Sequence, residues 1–483
     1  VSHRCFFTII LFLFATPSFS LMLHAEAHAE ARNLILIIGD GMGPQQVGLA
    51  LEYGRYGNNK QSVKAFSDFI GSSISGLHLP STKSTLTNDS ACAATMLATG
   101  CDCLPGEVGV SKPTSECRSV IEIFKKKGKR VGLISDTRIT HATPAAFFAR
   151  VKHRSQEHEI ADQVLQEKNV DLFFSGGLSY FVDGKGAQVF DKRCGFVTEG
   201  RRSSDGIASY LRRGGNVICN RAELLSEFKL PVLGLFAAND MHHGFEEGLG
   251  TEPSLAELAG RALRSLENEA GFFLMIESGQ IDWAGHAHDA AWLLREMQRI
   301  SSVIQVVSEY QQKHADTLIV MTADHETGGF GFAYSSNQDR ESEKSFIGHD
   351  VLSVFDRREQ PLARIADHLV QTAQRTVDHR TLSGELVKAL GFEPSEEERK
   401  RLLVLIKKNS EVAIEGDVRQ RIKSLAPVTE LLTEISDKRT GVVWSTPNHT
   451  NTPVLVVAQG PGAERFSGFR GLSSLGVIIK STL

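Results

Sequence analysis

Leu34–Gly43, LILIIGDGMG, is the stretch whose reading decides the fold. Five consecutive apolar residues, Leu34–Ile38, suit a strand buried on both faces, since a half-exposed strand would alternate apolar and polar. Gly39-Asp40-Gly41-Met42-Gly43 then breaks the run. These residues lack the GxGxxG spacing of a dinucleotide site and read equally well as a tight turn from strand to helix. The same arrangement recurs along the chain. Val131–Ile134 follows a helical stretch, Val120–Lys127, and a stop at Gly128, while Asp171–Phe174 follows a helix around Ile160–Glu167. Phe272–Ile276 follows Ser254–Glu269, which opens with the capping box Ser254…Glu257. Leu318–Met321 follows the amphipathic His288–Gln312, and Pro453–Val457 comes late. Continuous apolar strands alternating with helices predict an α/β fold, an α/β/α sandwich on a large, mostly parallel central sheet.

Composition sets the outer bounds. The chain has 483 residues, 41% hydrophobic and 23% charged, which is ordinary for a globular protein with a sizeable core. A net charge of −4 gives no reason to expect nucleic-acid recognition. His3 and Arg4 precede an apolar run from Cys5 to Ala15, and small residues follow in TPSFS and AEAHA. Residues 1–29 therefore read as a signal peptide cleaved somewhere between Ser20 and Ala31, with an uncleaved amino-terminal anchor as the alternative. The expected location is periplasmic or secreted, with no membrane span in the mature chain. Of seven cysteines, Cys5 would leave with the signal, and six remain. In an exported protein they can pair. Cys194 with Cys219, and Cys101 or Cys103 with Cys117, are the expected pairs, leaving Cys92 as a buried thiol on a helix. Residues 335–440 are charge-rich and mainly helical, with Pro394 and the box Ser395…Glu398 opening a helix to Lys408. They read as an inserted helical subdomain or lid, or as peripheral helices of the main domain.

The chemistry gathers at the strand ends. Asp40 follows LILII, Glu277 follows FFLMI, and Asp324-His325 follow LIVMTA. In open α/β sheets the ligand crevice lies outside the carboxyl ends of the strands. Acids meeting there repel one another unless a cation sits between them. Asp282 and His286 are four apart in a helical segment, IDWAGHAHD, so both face one way and could share a metal. Histidine with aspartate suits zinc, and carboxylate with hydroxyl suits magnesium. In Thr87–Gly100, TNDSACAATMLATG, Asp89 is a good N-cap and Ser90 takes the first helical position, at the positive end of the helix dipole. Each feature alone has a plainer explanation: a solvated turn acid, a surface ion pair, a buried small-residue helix. Together they point to a metal-assisted hydrolase.

With these residues assembled, the chain resembles the alkaline phosphatases. The matching stretches are LILIIGDGMG, TNDSACAATMLATG, THATPAAFFARVKHR, IESGQIDWAGHAHD, TLIVMTADHETGGF and WSTPNHTNTPVLVVAQGPGA, running from Asn33 to about Gly462 in the family's order. The resemblance implies an alkaline-phosphatase-like catalytic domain over residues 30–483, with 335–440 as its insertion. It also implies hydrolysis of phosphate monoesters through a phosphoserine on Ser90. Asp282, His286 and His449 match the ligands of a first zinc. Asp40, Asp324, His325 and the Ser90 oxygen match those of a second. Asp40, Thr143 and Glu277 match a third site, usually magnesium, and Arg154 matches the phosphate clamp. Spacing alone would not have selected Arg154 or His449. Trp283 and His141 depart from residues that several members carry near the third metal, leaving that ion open between magnesium and a further zinc. Asp89 either only caps its helix or also orients Arg154. The family commonly forms homodimers, which is the expectation here. A phosphodiesterase of the same superfamily and a non-catalytic phosphate- or metal-binding protein are the alternatives. Asn88-Asp89-Ser90 matches a glycosylation sequon, but a glycan there would block the site.

Overall fold

Alternate residues of the first strand, β1 (Asn33–Gly39), enter two different cores, which is why its sequence is apolar without interruption. Ile35 and Ile37 join the cluster on one face of the sheet, while Leu34, Leu36 and Ile38 join the cluster on the other. The computed structural model describes residues 31–109, 116–336, 344–375, 379–410 and 425–482. The expected signal segment, 1–29, lies outside them.

Further strands are β2 (Ile74–Leu79), β3 (Arg130–Arg138), β4 (Leu172–Gly176), β5 (Asn216–Ile218), β6 (Val232–Leu235), β7 (Phe272–Ser278) and β8 (Thr317–Thr322). Two more, β9 (Val454–Gln459) and β10 (Gly468–Gly471), complete a ten-stranded sheet. Its spatial order is β10, β2, β9, β8, β1, β7, β3, β4, β6, β5. Only β9 among these ten runs against its neighbours. The helices Pro44–Tyr56, Leu255–Leu266 and Ala290–Lys313 cover one face, and Ser90–Thr99, Val120–Lys126 and Leu472–Lys480 cover the other. The expected α/β/α sandwich is thus present. The capping box at Ser254 and Glu257 forms in both directions.

The register of the central strands places the site. β8, β1, β7 and β3 are consecutive and parallel, so their carboxyl ends open on one edge. Ile38 pairs with both Glu277 and Thr322, and Ser135 pairs with Glu277, so Asp40, Glu277 and Asp324 emerge at one level.

Residues 362–375, 379–390, 396–410 and 426–440 form helices with a separate apolar core that includes Leu369, Leu386, Leu402 and Leu432. Asp289, at the head of the long helix Ala290–Lys313, joins this block to the sheet domain by accepting from Arg358 Nη2 and Leu362 N, both at 2.7 Å. The box Ser395…Glu398 closes in both directions at the start of helix Glu396–Ser410.

The disulfides are Cys92–Cys103, Cys101–Cys117 and Cys194–Cys219. The second and third agree with the expected pairs, and the first overturns the reading of Cys92 as a free buried thiol. Helix Ser90–Thr99 ends at Gly100 in the left-handed region (φ +69°), and the chain doubles back to bring Cys103 against the helix it has just left.

Candidate active site

Ser90 is the first residue of its helix. Asp89 caps that helix in extended conformation and accepts from Cys92 N. Ser90 is only 2% exposed, and its Oγ lies 3.2 Å from His325 Nε2 and 3.5 Å from Asp40 Oδ1. Small residues make this depth possible. Ala91, Ala93 and Ala94 are fully buried behind the serine, and Gly41 (φ +74°) passes so close to Asp282 that a Cβ would meet its Cα at 2.7 Å.

Three clusters of potential ligands surround the hydroxyl. In the first, Asp282 Oδ1 stands 3.3 Å from His286 Nε2 and 3.4 Å from His449 Nε2, and these two nitrogens are 3.1 Å apart. His286 Nδ1 faces Pro447 O at 2.6 Å and His449 Nδ1 faces Asn88 O at 2.8 Å. A carbonyl can only accept, so each Nδ1 carries a proton, and each Nε2 faces Asp282, donating to it when the ring is charged and offering a lone pair when the ring is neutral. With the rings neutral, two lone pairs and a carboxylate aimed at one point suit a cation. The second cluster is Asp40, Asp324 and His325, with His325 Nε2 at 3.3 Å from Asp324 Oδ2 and 3.6 Å from Asp40 Oδ1. The third is Asp40, Glu277 and His141, with Thr143 Oγ1 donating to Asp40 Oδ2 at 3.3 Å. Glu277 Oε1 and Asp324 Oδ2 are buried without a hydrogen-bond donor. Orphaned carboxylate oxygens in such clusters are what a bound divalent ion would satisfy.

The electrostatics agree. Burial holds the Asp40 carboxyl well above its ordinary range, and the charges of Asp324, Asp282 and Glu277 add to the effect against an opposing Arg154. Burial and Asp136 push Glu277 up to about 8, while burial and Asp282 push Asp324 up to about 6. Asp282 moves the other way. Burial opposes its ionisation, but the hydrogen bond from His449 and the His325 and His286 rings outweigh burial and hold it below the carboxylate range. The protein's own cations therefore suffice for one of the four carboxyls, and the remaining negative charge calls for added positive charge.

Arg154 reaches the same cleft. Its Nη1 donates to Asp89 Oδ2 at 3.3 Å, and its Nη2 stands 3.1 Å from His141 Nε2. Asp89 therefore both caps the serine helix and holds the guanidinium, answering the question its sequence position left open. The cleft, about 500 Å³, is lined by Ser90, Arg154, Asp282, His286, His449, Trp283 and His141, with Thr87, Asn88 and Asn448 at its wall. Trp283 meets the edge of His141 with ring centroids 6.0 Å apart.

Every residue expected at the site is in this neighbourhood. Sequence reasoning passed over Thr327, whose Oγ1 donates to Asp282 Oδ1 at 2.5 Å, and Ser135 and Thr137, whose hydroxyls bond Glu277. It also passed over Glu326, which accepts from Gln46, Gly329 N and Thr450 and so anchors the strand bearing His449. Thr327 and Glu326 lie inside the stretch DHETGG, so the only signal was adjacency to His325.

The family model for alkaline phosphatase matches residues 31–483. Alkaline phosphatase 4 of Bacillus subtilis (strain 168) is 28% identical over 448 residues, covering 91% of this chain and 86% of that protein. Alkaline phosphatase 3 of the same organism is 27% identical over 455 residues, with the same coverage. Among solved structures, the cold-active alkaline phosphatase of the psychrophile Shewanella sp. superposes with a TM-score of 0.74 at 26% identity, over 93% of this chain and 99% of that one. The Thermus thermophilus alkaline phosphatase shares the fold, with a TM-score of 0.75 at 22% identity over 94% and 91% of the two chains. The match runs the length of the sheet and takes in the ligand clusters at its edge, and on that ground the chain belongs to the alkaline phosphatase family, a family of metal-dependent phosphomonoesterases.

Proposed function

We propose that this protein is an exported phosphatase that hydrolyses phosphate monoesters through a phosphoserine on Ser90. The observation that carries the reading is Ser90 Oγ at a helix start, between Asp40 and His325, with Arg154 held across the cleft by Asp89. Asp282, His286 and His449 would hold one zinc, and Asp40, Asp324, His325 and the Ser90 oxygen a second. Asp40, Thr143 and Glu277 would hold magnesium or a further zinc, with His141 and Trp283 beside them. When bound, these ions lower the proton affinity of hydroxyl and water oxygens and neutralise charge on the phosphoryl group.

The chain's own groups do the rest. Ser90 Oγ attacks phosphorus as the ester oxygen leaves on the opposite side, giving phosphoserine and the free alcohol. Water then attacks the same phosphorus, the bond to Ser90 Oγ breaks, and inorganic phosphate leaves. The helix N-terminus and the guanidinium fork of Arg154 suit the three equatorial oxygens, over which the charge of the transferring phosphoryl group is spread in a loose transition state. Two in-line displacements give net retention at phosphorus.

The three disulfides support export, since such bonds persist in oxidising compartments. Among the described residues no helix is long and apolar enough to cross a membrane. A homodimer and a signal peptide over 1–29 complete the reading, with 335–440 as a helical insertion in the 30–483 domain.

A Ser90→Ala protein should lose p-nitrophenyl phosphatase activity by about a thousandfold or more, as removal of a covalent nucleophile does. Acid-quenched wild-type enzyme should yield a phosphopeptide containing Ser90. Wild-type turnover by Ser90→Ala, or faster turnover of bis(p-nitrophenyl) phosphate than of the monoester, would overturn the reading.

A further inference from the structure

Residues 101–109 lie between the two parts of the site that would handle phosphate, and they are fastened to both. On the Ser90 side, Cys103 is bonded to Cys92, two residues beyond the serine on the same helix. Gly106 N donates to Asp89 Oδ1 at 2.9 Å, and Gly109 N donates to Thr95 Oγ1 at 2.9 Å. On the Arg154 side, Arg154 N donates to Gly106 O at 2.8 Å, and Val108 exchanges both backbone hydrogen bonds with Val151. Gly106 is thus one peptide link between Asp89 and the backbone of Arg154, while Asp89 Oδ2 also takes the guanidinium of Arg154 at 3.3 Å. The turn demands glycine there. Its φ is +88°, and a Cβ would meet the His153 ring at 2.9 Å.

We propose that the Cys92–Cys103 disulfide and the Gly106 turn form a brace that positions Arg154 relative to Ser90, making Cys92 and Cys103 positioning residues for phosphate recognition. The inference rests on Arg154 being the phosphate clamp of the proposed function. Cys101–Cys117, at a sequence separation of 16, does not by itself deny residues 102–109 the freedom to shift against the Ser90 helix. The inner bond removes that freedom at the point where the loop meets the Ser90 helix, three residues before Gly106. A guanidinium held to a few tenths of an ångström keeps its fork aligned with phosphate oxygens. None of the ligand clusters is built on residues 101–109, so the brace acts on phosphate and leaves the ions alone.

The test is a cycle on the metal-loaded enzyme between Cys92→Ala/Cys103→Ala and Arg154→Ala. The readouts are Ki for inorganic phosphate, KM and kcat for p-nitrophenyl phosphate, and bound metal. The cysteine pair should raise Ki and KM together by about five- to tenfold, with metal content unchanged and a smaller change in kcat, as expected when one member of a hydrogen-bonded network is uncoupled. In the Arg154→Ala background the same pair should change Ki by less than about twofold. Gly106→Ala, which leaves all three disulfides in place, should shift Ki in the same direction and provides the readout if the cysteine variant fails to fold. An unchanged Ki in either variant, or an equal rise with and without Arg154, overturns the brace. A wild-type Ki in Arg154→Ala alone would instead overturn the clamp itself.

Discussion

Thr327 Oγ1 donates to Asp282 Oδ1 at 2.5 Å, and its own side chain lies outside the three ligand clusters. The donated proton fixes which carboxylate oxygen faces His286 and His449, and it cannot be replaced from solvent because both residues are buried. Thr327→Val keeps the shape and removes the hydroxyl. It should weaken metal affinity by about 10- to 100-fold, the usual effect of losing a partner that orients a ligand, measured by competition with a chelator. Undiminished affinity would show that packing against Gly41 and Gly285 is enough to hold Asp282. The contrast with Asp40, Glu277 and Asp324 explains what the sequence displayed at this scale. Those acids end continuous apolar strands, and the rule that ligands gather at strand carboxyl ends points to them directly. Thr327 follows a strand by several residues and acts through another side chain, so neither period nor spacing marks it. Cys92 misled for a similar reason, since its partner is reached only through the reversal at Gly100.

Strands show the same division. β1, β7 and β8 lie in the middle of the sheet, are covered on both faces and read as unbroken apolar runs. β2 sits one strand from the edge with Ile74 and Leu77 partly exposed and Gly76 in its middle, and β5 has only three residues, so neither stands out in the sequence. β2 nonetheless carries His78, fully buried, with Nε2 at 2.8 Å from Thr322 Oγ1 of β8. Burial pulls its pKa from 6.5 down to about 4. A depressed histidine is neutral in the fold and gains a proton on unfolding, so its contribution is intact above pH 6.5 and is lost as pH falls toward 4. That span corresponds to about 3 kcal/mol. His78→Gln, which cannot titrate, should show a shallower loss of stability than wild type between pH 6.5 and 4 in guanidinium titrations at successive pH values. Parallel slopes would mean that other groups govern acid unfolding.

The whole molecule is two layers of helix on one sheet, with a core on each face, and a helical block beside it with an apolar core of its own, joined to the sheet domain at Asp289. Its carboxylate is 1% exposed, caps the long helix through Trp292 N, and accepts from Arg358 Nη2 and from Leu362 N at the start of the helical block. Arg358 is equally buried. Burying such a pair yields little net stability, but removing one partner strands the other charge in a medium that solvates it poorly. Arg358→Met should therefore lower stability by about 3–5 kcal/mol. Replacing both members with apolar residues commonly recovers such a loss. Here Arg358→Met/Asp289→Leu should not, because Asp289 also serves two backbone N–H groups that leucine would leave unpaired, each worth about 1–3 kcal/mol when buried. Asp289 stands three residues beyond His286, so this junction also fixes the segment that carries a proposed metal ligand. Guanidinium midpoints for the wild type, the single variant and the double variant decide the matter. A double variant restored to the wild-type midpoint would show that Asp289 serves only its ion pair, and that the junction is held by its other contacts, among them Arg295 with the Asp356 and Arg358 carbonyls.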